Sequence, residues 1–82
     1  LTAEYALRAM SCLALRPGQL VSTTTLAAQT KVPSNYLAKV LQQLSAAGLI
    51  TGRRGVGGGY KLARGSHEIK LLEVINAVDP VE

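Results

Sequence analysis

The stretch GRRGVGGGYKLAR, residues 52 to 64, holds five of the chain's eight glycines and four of its nine Lys and Arg. Three structures gather backbone freedom and positive charge in this way: a nucleotide-binding loop, a flexible linker, and a loop that presses its backbone against nucleic acid. Spacing separates them. A P-loop needs Gly-Lys followed by Ser or Thr, whereas Gly59 is followed by Tyr60-Lys61-Leu62. A dinucleotide fingerprint needs a third glycine where Tyr60 stands, and a helix after it rather than a strand. A linker would not have strand-like residues close on both sides. Leu49 to Arg53 and Tyr60 to Ala63 instead read as the arms of a β-hairpin. Gly55, Gly57, Gly58 and Gly59 in its loop can take positive φ and approach a phosphate backbone without a Cβ clash. Arg53 and Arg54 stand at the loop's entrance, and Lys61 lies just beyond its exit.

The segments before the hairpin carry helical periodicity. Residues 2 to 15, TAEYALRAMSCLAL, form a first helix stopped by Arg16-Pro17-Gly18. Its polar residues Glu4, Arg8 and Ser11 make one narrow stripe, and a helix apolar in all other directions is buried in nearly all of them. The expectation is that the domain's own core covers only one side. A later segment or a second subunit would then cover the other, with Leu71, Val74 and Val78 extending that surface. A second helix follows over residues 23 to 30, with Ser22 or Thr23 able to cap it. Pro33 suits the start of a third, over residues 34 to 47, with Gly48 as its stop. Leu37, Leu41 and Leu44 share one face of this helix, beside Val40. Asn35, Lys39, Gln42 and Ala46 lie opposite, with Tyr36 and Gln43 on the border.

Leu26, Val32, Leu37 and Val40 are apolar where these two helices meet, and Ala27 is small where they cross, which is the helix–turn–helix pattern over residues 23 to 48. The turn position commonly held by Gly is Lys31, so a residue with a Cβ is expected at positive φ. After the hairpin, a wing over residues 49 to 63, residues 67 to 70 connect to a last helix. It spans Leu71 to Val78 and is closed by Asp79-Pro80. The predicted fold is mainly α with a small β-hairpin: one winged helix–turn–helix domain over residues 1 to 82.

Composition agrees. Eighty-two residues allow one domain, burying only about 60–65% of its unfolded surface. With 48% hydrophobic residues and no Trp or Phe, the core must come from Leu, Val, Ile and Ala, which suits helices. The net charge is +4, and its distribution says more than its total. Between Tyr5 and His67 there is no Asp or Glu, while Arg8, Arg16, Lys31, Lys39, Arg53, Arg54, Lys61 and Arg64 fall there. A basic middle between acidic ends is the pattern of a nucleic-acid-binding domain, and also of an ordinary solvated basic face. The single cysteine, Cys12, excludes a disulfide framework or a multi-cysteine metal site within this stretch, and reads as a buried small hydrophobe. His67 is the only histidine, and the hydroxyls from Ser22 to Thr25 have no base beside them and read as capping and turn residues, so no catalytic set appears. No apolar run reaches the ~18 residues of a membrane span, and a cytoplasmic protein is expected. A chain that begins at Leu1 and stops just after an apolar helical segment reads as part of a longer protein.

The combination of LTAEYALRAM, VPSNYLAKVLQQLSAAGLI, RRGVGGGYKLAR and EIKLLEVINAVD resembles the Rrf-type winged-helix transcription regulators. That family includes the iron–sulfur cluster regulator, the nitric-oxide-sensing repressor and the cysteine-metabolism repressor. The resemblance covers nearly the whole chain, and the R-G-x-G-G-G-Y wing is its most specific part. It implies a homodimeric bacterial regulator, a repressor or an activator, of double-stranded operator DNA. Each subunit would place a recognition helix in the major groove and a wing near the minor groove. Carried over by residue, it makes Arg54 the minor-groove arginine and Tyr36 the tyrosine that approaches the backbone. It puts Pro33, Ser34, Asn35, Ala38 and Lys39 where base and phosphate contacts fall. Gln42 shares their polar face, and Arg53, Gly55, Gly57, Gly58 and Lys61 complete the implied DNA-binding set.

Two departures stand out: Ala38 replaces an acidic residue used in target choice, and Lys70 replaces the Ser or Thr that commonly caps the last helix. Family members continue into a dimerisation helix, and cluster-binding members place three cysteines just beyond residue 82. An iron–sulfur cluster is therefore implied only if such cysteines follow. Glu4 occupies the position from which some members complete the cluster of the partner subunit, and an i, i+4 ion pair with Arg8 suits it equally. The competing function is a winged helix used as a protein-interaction module, against which the acid-free stretch argues.

Overall fold

In a computed structural model, which describes residues 2–78, helix α1 (Thr2–Ala14) runs through the centre of the domain. Around it pack α2 (Thr23–Thr30), α3 (Ser34–Ala46), α4 (Leu71–Val78) and the second strand of the hairpin β1 (Ile50–Arg53) and β2 (Gly59–Leu62). A short 3-10 turn, Ser66–Glu68, leads into α4. Ala6 and Ala9 are fully buried, and residues this small let neighbouring helices approach α1 closely. Met10, Cys12 and Leu13 are buried with them.

The expectation of an apolar side left uncovered holds only in part: Leu7, Met10 and Ala14 line an open, mostly apolar hollow of ≈ 240 Å³ with Leu62, Ile69 and Leu71, while the rest of the helix is packed. Four elements, α2, α3, α4 and β2, pack on α1 and bury Ala6, Ala9, Met10, Cys12 and Leu13. Of these, α4 turns Val74 and Val78 inward, so two of the three positions expected to extend an exposed face belong to the core. Leu71 and Leu72 stay outside, 61% and 63% exposed, as does Leu15 just past α1. Asp79 and Pro80, expected to close α4, lie outside the described residues.

Local chemistry sets the ends of the helix–turn–helix. Of the two candidate caps, Ser22 takes the role, its side chain accepting from the Thr25 N–H at 3.1 Å. Lys31 ends α2 in the left-handed region, φ 59° and ψ 25°, and its N–H bonds the Ala27 carbonyl. Thr30 is buried beside it. Its hydroxyl donates to the Leu26 carbonyl at 2.6 Å and accepts from the Val32 N–H at 3.3 Å, so the turn is braced from within. Pro33 flanks α3 rather than beginning it, and its carbonyl accepts the Leu37 N–H. At the other end Gly48 bonds back to Ser45 and Leu49 to Leu44, a Schellman closure that swings the chain into β1. Leu26, Val32, Leu37, Val40, Leu41 and Leu44 are all buried.

The hairpin is antiparallel, with Ile50 opposite Leu62 and Arg53 opposite Gly59. It is held at a further point that the hydrophobic pattern does not reveal. Val21, just before α2, exchanges two backbone hydrogen bonds with Tyr60, at 2.8 and 2.9 Å. The approach is close enough that a Cβ on Gly59 would lie 2.3 Å from the Val21 carbonyl oxygen. Beyond the wing, Arg64 pairs with Glu73 of α4 at 2.8 Å. The other Glu73 oxygen accepts the Lys70 N–H at 3.1 Å, so the cap that Lys70 cannot supply comes from the carboxylate three residues later. The Arg64 hydrogen bond first, and the Lys70 N–H second, hold the Glu73 carboxyl below its usual range.

Two outcomes follow from this geometry. Lys31→Gly is expected to be neutral or to stabilise by up to about 1 kcal/mol, since relief of left-handed strain offsets the added freedom of the unfolded chain. Gly59→Ala is expected to cost about 1–3 kcal/mol or more, because the backbone must move to admit a Cβ. Urea denaturation of the two variants checks both, and a clear loss in Lys31→Gly would contradict the strain argument.

A carboxylate whose pKa is depressed by folding stabilises the native state above its unfolded pKa, and that contribution is lost as pH falls through the folded value. At neutral pH Glu73→Gln should therefore melt below the parent. The two melting temperatures should converge as pH drops past the ordinary carboxylate range, about pH 4. Thermal melts across this window are the test, and a gap that persists unchanged at low pH would contradict it.

Candidate nucleic-acid interface

Burial of Leu37, Val40, Leu41 and Leu44 forces the other face of α3 outward. Ser34, Asn35, Tyr36, Ala38, Lys39, Gln42 and Ala46 are all exposed. Gln43, on the border, is half-buried, and its side-chain oxygen is shielded without a hydrogen-bond partner. The exposed face carries one cation and no acid, as its sequence requires. Tyr36 is 48% exposed, with its ring against that of Tyr5 on α1, centroids 5.8 Å apart.

The wing, the end of α3 and the start of α2 border an open cleft of ≈ 560 Å³. Arg53, Arg54, Gly55 and Gly58 line it from the wing, Ser45 from the end of α3, and Ser22, Thr23 and Thr24 from the first turn of α2. At the tip Gly55 and Gly57 take positive φ, 96° and 78°. The Gly58 N–H bonds the Gly55 carbonyl at 3.0 Å, leaving Val56 fully exposed between them. Two guanidinium groups facing hydroxyls and a helix N-terminus make a surface that favours anions.

The structure thus gathers Arg53, Arg54, Gly55 and Gly58 with the end of α3, but it separates Lys61 from them. Lys61 pairs with Thr51 across the hairpin and lines a second hollow with Gly18, Leu20 and Arg53. Arg53 borders both hollows. Ser22, Thr23 and Thr24, read from sequence only as capping and turn residues, are the side chains that sequence reasoning missed at this site. A hydroxyl run without an acid at the start of a helix is the signal that could have pointed to them.

The cations of the wing and of the exposed α3 face lie outside the ion pairs of the described residues. Among the described residues the Lys and Arg ion pairs are Arg8 with Glu4 and Arg64 with Glu73, both at 2.8 Å, and neither uses Lys39, Arg53, Arg54 or Lys61. His67 is exposed and lies 3.6 Å from Glu68.

The Glu4 carboxylate is engaged by Arg8, and Cys12 is buried with its thiol donating to the Gln29 side-chain oxygen at 3.1 Å. Among the described residues no three His, Cys, Asp or Glu side chains are grouped to hold a metal, and no helix is long and apolar enough to cross a membrane.

Residues 2–82 match the Rrf2 family, described as iron-dependent transcriptional regulators. A Mycobacterium tuberculosis protein named as an HTH-type transcriptional regulator is 41% identical over 78 residues, which are 94% of this chain and 48% of that protein. Another, from Aquifex aeolicus, is 36% identical over 74 residues, 90% of this chain and 51% of its own length. The chain therefore spans about half the length of the curated relatives it matches. Among solved structures, CymR, the global cysteine regulator of B. subtilis, superposes with a TM-score of 0.92 at 27% identity, over 99% of this chain and 64% of that one. IscR of T. potens superposes with a TM-score of 0.89 at 32% identity, over 96% and 58%. Four helices with a two-stranded wing, arranged as in these structures, and a family match over nearly the entire length lead to one conclusion: the chain belongs to the Rrf2 family of winged-helix transcriptional regulators.

Proposed function

We propose that this chain is the DNA-binding portion of a dimeric transcriptional regulator, acting as a repressor by occupying duplex operator DNA, with no catalytic step. The observation that carries this reading is the basic wing cleft, lined by Arg53 and Arg54 and reached at Ser45 by α3, a helix whose exposed face carries Lys39 and no acid. In this reading α3 enters the major groove, where Ser34, Asn35, Lys39 and Gln42 meet base edges and phosphates and Tyr36 meets the backbone. Arg54, directly before Gly55, reaches the minor groove, whose negative potential is greatest where A·T pairs narrow it. Arg53 and the backbone of Gly55, Gly57 and Gly58 follow the adjoining phosphates, and Lys61 meets a phosphate from the outer side of the wing.

A homodimer would present two such units to two half-sites, about one helical turn apart or a multiple of it. The chain's share of its relatives' length is consistent with dimer contacts made outside these residues. A cytoplasmic location follows from the same reading. Glu4 is the one residue here offered to an iron–sulfur cluster, from the partner subunit's side, and no step of this reading passes through such a group.

The decisive experiment is a fluorescence-anisotropy titration with duplex DNA from low to moderate salt. With roughly 6–8 phosphate contacts per dimer, log K should fall with log salt at a slope near −6. Weak binding that ignores salt would favour the protein-interaction module instead. Arg54→Ala should cost about 1–3 kcal/mol of specific binding, more where A·T pairs flank the half-sites, whereas Lys61→Ala should weaken all sequences evenly. Identical losses on every operator would remove the minor-groove role of Arg54.

A further inference from the structure

Tyr36 stands in the first turn of α3, and the side that does not face solvent rests on α1. The Tyr5 and Tyr36 rings are tilted at 51° with centroids 5.8 Å apart, within the range at which aromatic pairs attract beyond simple burial. Arg8, one turn along α1 from Tyr5, places its guanidinium carbon 5.9 Å from the Tyr5 ring centroid. The same guanidinium is held by Glu4 at 2.8 Å and reaches the Thr30 carbonyl at 3.4 Å. Thr30 is the last residue of α2 and precedes the left-handed Lys31. One patch of α1 therefore touches both sides of the helix–turn–helix: the end of α2 through Arg8 and the start of α3 through Tyr5.

We propose that Tyr5 is a positioning residue for DNA recognition. Its ring, steadied by Arg8, selects the orientation of the Tyr36 side chain and fixes the first turn of α3 against α1. Affinity for DNA then depends on a side chain that does not lie on the recognition face. A half-exposed tyrosine at a helix start would otherwise distribute among staggered rotamers, and the entropy of ordering it would be lost on binding. A ring already held in one orientation avoids that loss. The inference rests on the DNA-binding reading above, and the experiment is arranged so that the two fail separately.

The test is a double-mutant cycle in the full-length protein, with Tyr5→Leu and Tyr36→Ala alone and together. Affinity for a duplex operator is read by anisotropy and stability by thermal melting. With Tyr36 present, Tyr5→Leu should weaken binding about three- to tenfold, as expected for loss of an aromatic pair. With Tyr36→Ala present, the same change should weaken it less than about twofold, and it should lower the melting temperature less than it does in the parent, because the ring pair is already gone. Tyr5→Phe, which keeps the ring, should retain most of the affinity. If Tyr5→Leu does not fold, Arg8→Gln replaces it in the cycle, with a smaller loss expected that likewise requires Tyr36. Equal losses in both Tyr36 backgrounds would overturn the inference and leave the DNA-binding reading standing. A parent protein that shows no salt-dependent duplex binding would overturn both.

Discussion

A chain with no Phe or Trp has few large side chains from which to build a core, and this one sets Leu26, Leu37, Leu41, Leu44 and Leu49 around a helix that adds Leu13 and, at its fully enclosed positions, only Ala6 and Ala9. Small residues at the centre let the surrounding elements come close, and close packing gives the dispersion contacts that bulk would otherwise supply. Everything functional hangs from that arrangement. The orientation of α3 follows from burying its leucine face on α1, and its polar face is exposed as the remainder. The direction of the wing follows from the Schellman closure at the end of α3, which carries the chain straight into β1.

The wing is tied at its base and free at its tip. Val21, just before α2, bonds β2 on one side, and Arg64, just after β2, pairs with Glu73 of α4 on the other, so the base of the hairpin is tied at two points. Between these anchors the tip's cations make no ion pair with a carboxylate of the described residues. The same economy governs the acids. Among the described residues Glu4 and Glu73 are each spent on one arginine, and the cations outside these pairs include Arg53 and Arg54 of the cleft, Lys61 of the outer hollow and Lys39 of the exposed α3 face. A basic surface tied to the domain at its base loses less freedom when it meets a partner than a free loop would.

Much of this was legible from residue order. The helix limits fall within one or two residues of the hydrophobic pattern, since a helical period of 3.6 and the capping chemistry of Ser22 and Gly48 are local properties. Positive φ at Lys31 was legible for the same reason: the turn's geometry demands it whichever side chain is present. The hairpin was legible because glycines between short strand-like arms allow little else.

What residue order did not decide were the meetings between distant segments. Periodicity shows that α1 is apolar nearly all round, but not that its own domain supplies four partners that pack on it. It shows three hydroxyls at the start of α2, but not that the Val21 bridge swings the wing beside them, nor that Lys61 falls on the wing's far side. It shows Tyr5 and Tyr36 each on a helix, but not their contact across 31 positions. Local periodicity and turn chemistry depend on residues a few positions apart, and the sequence by itself determined those. Which faces are covered, and which side chains become neighbours, depends on how the elements pack in three dimensions, and only the tertiary structure decided that.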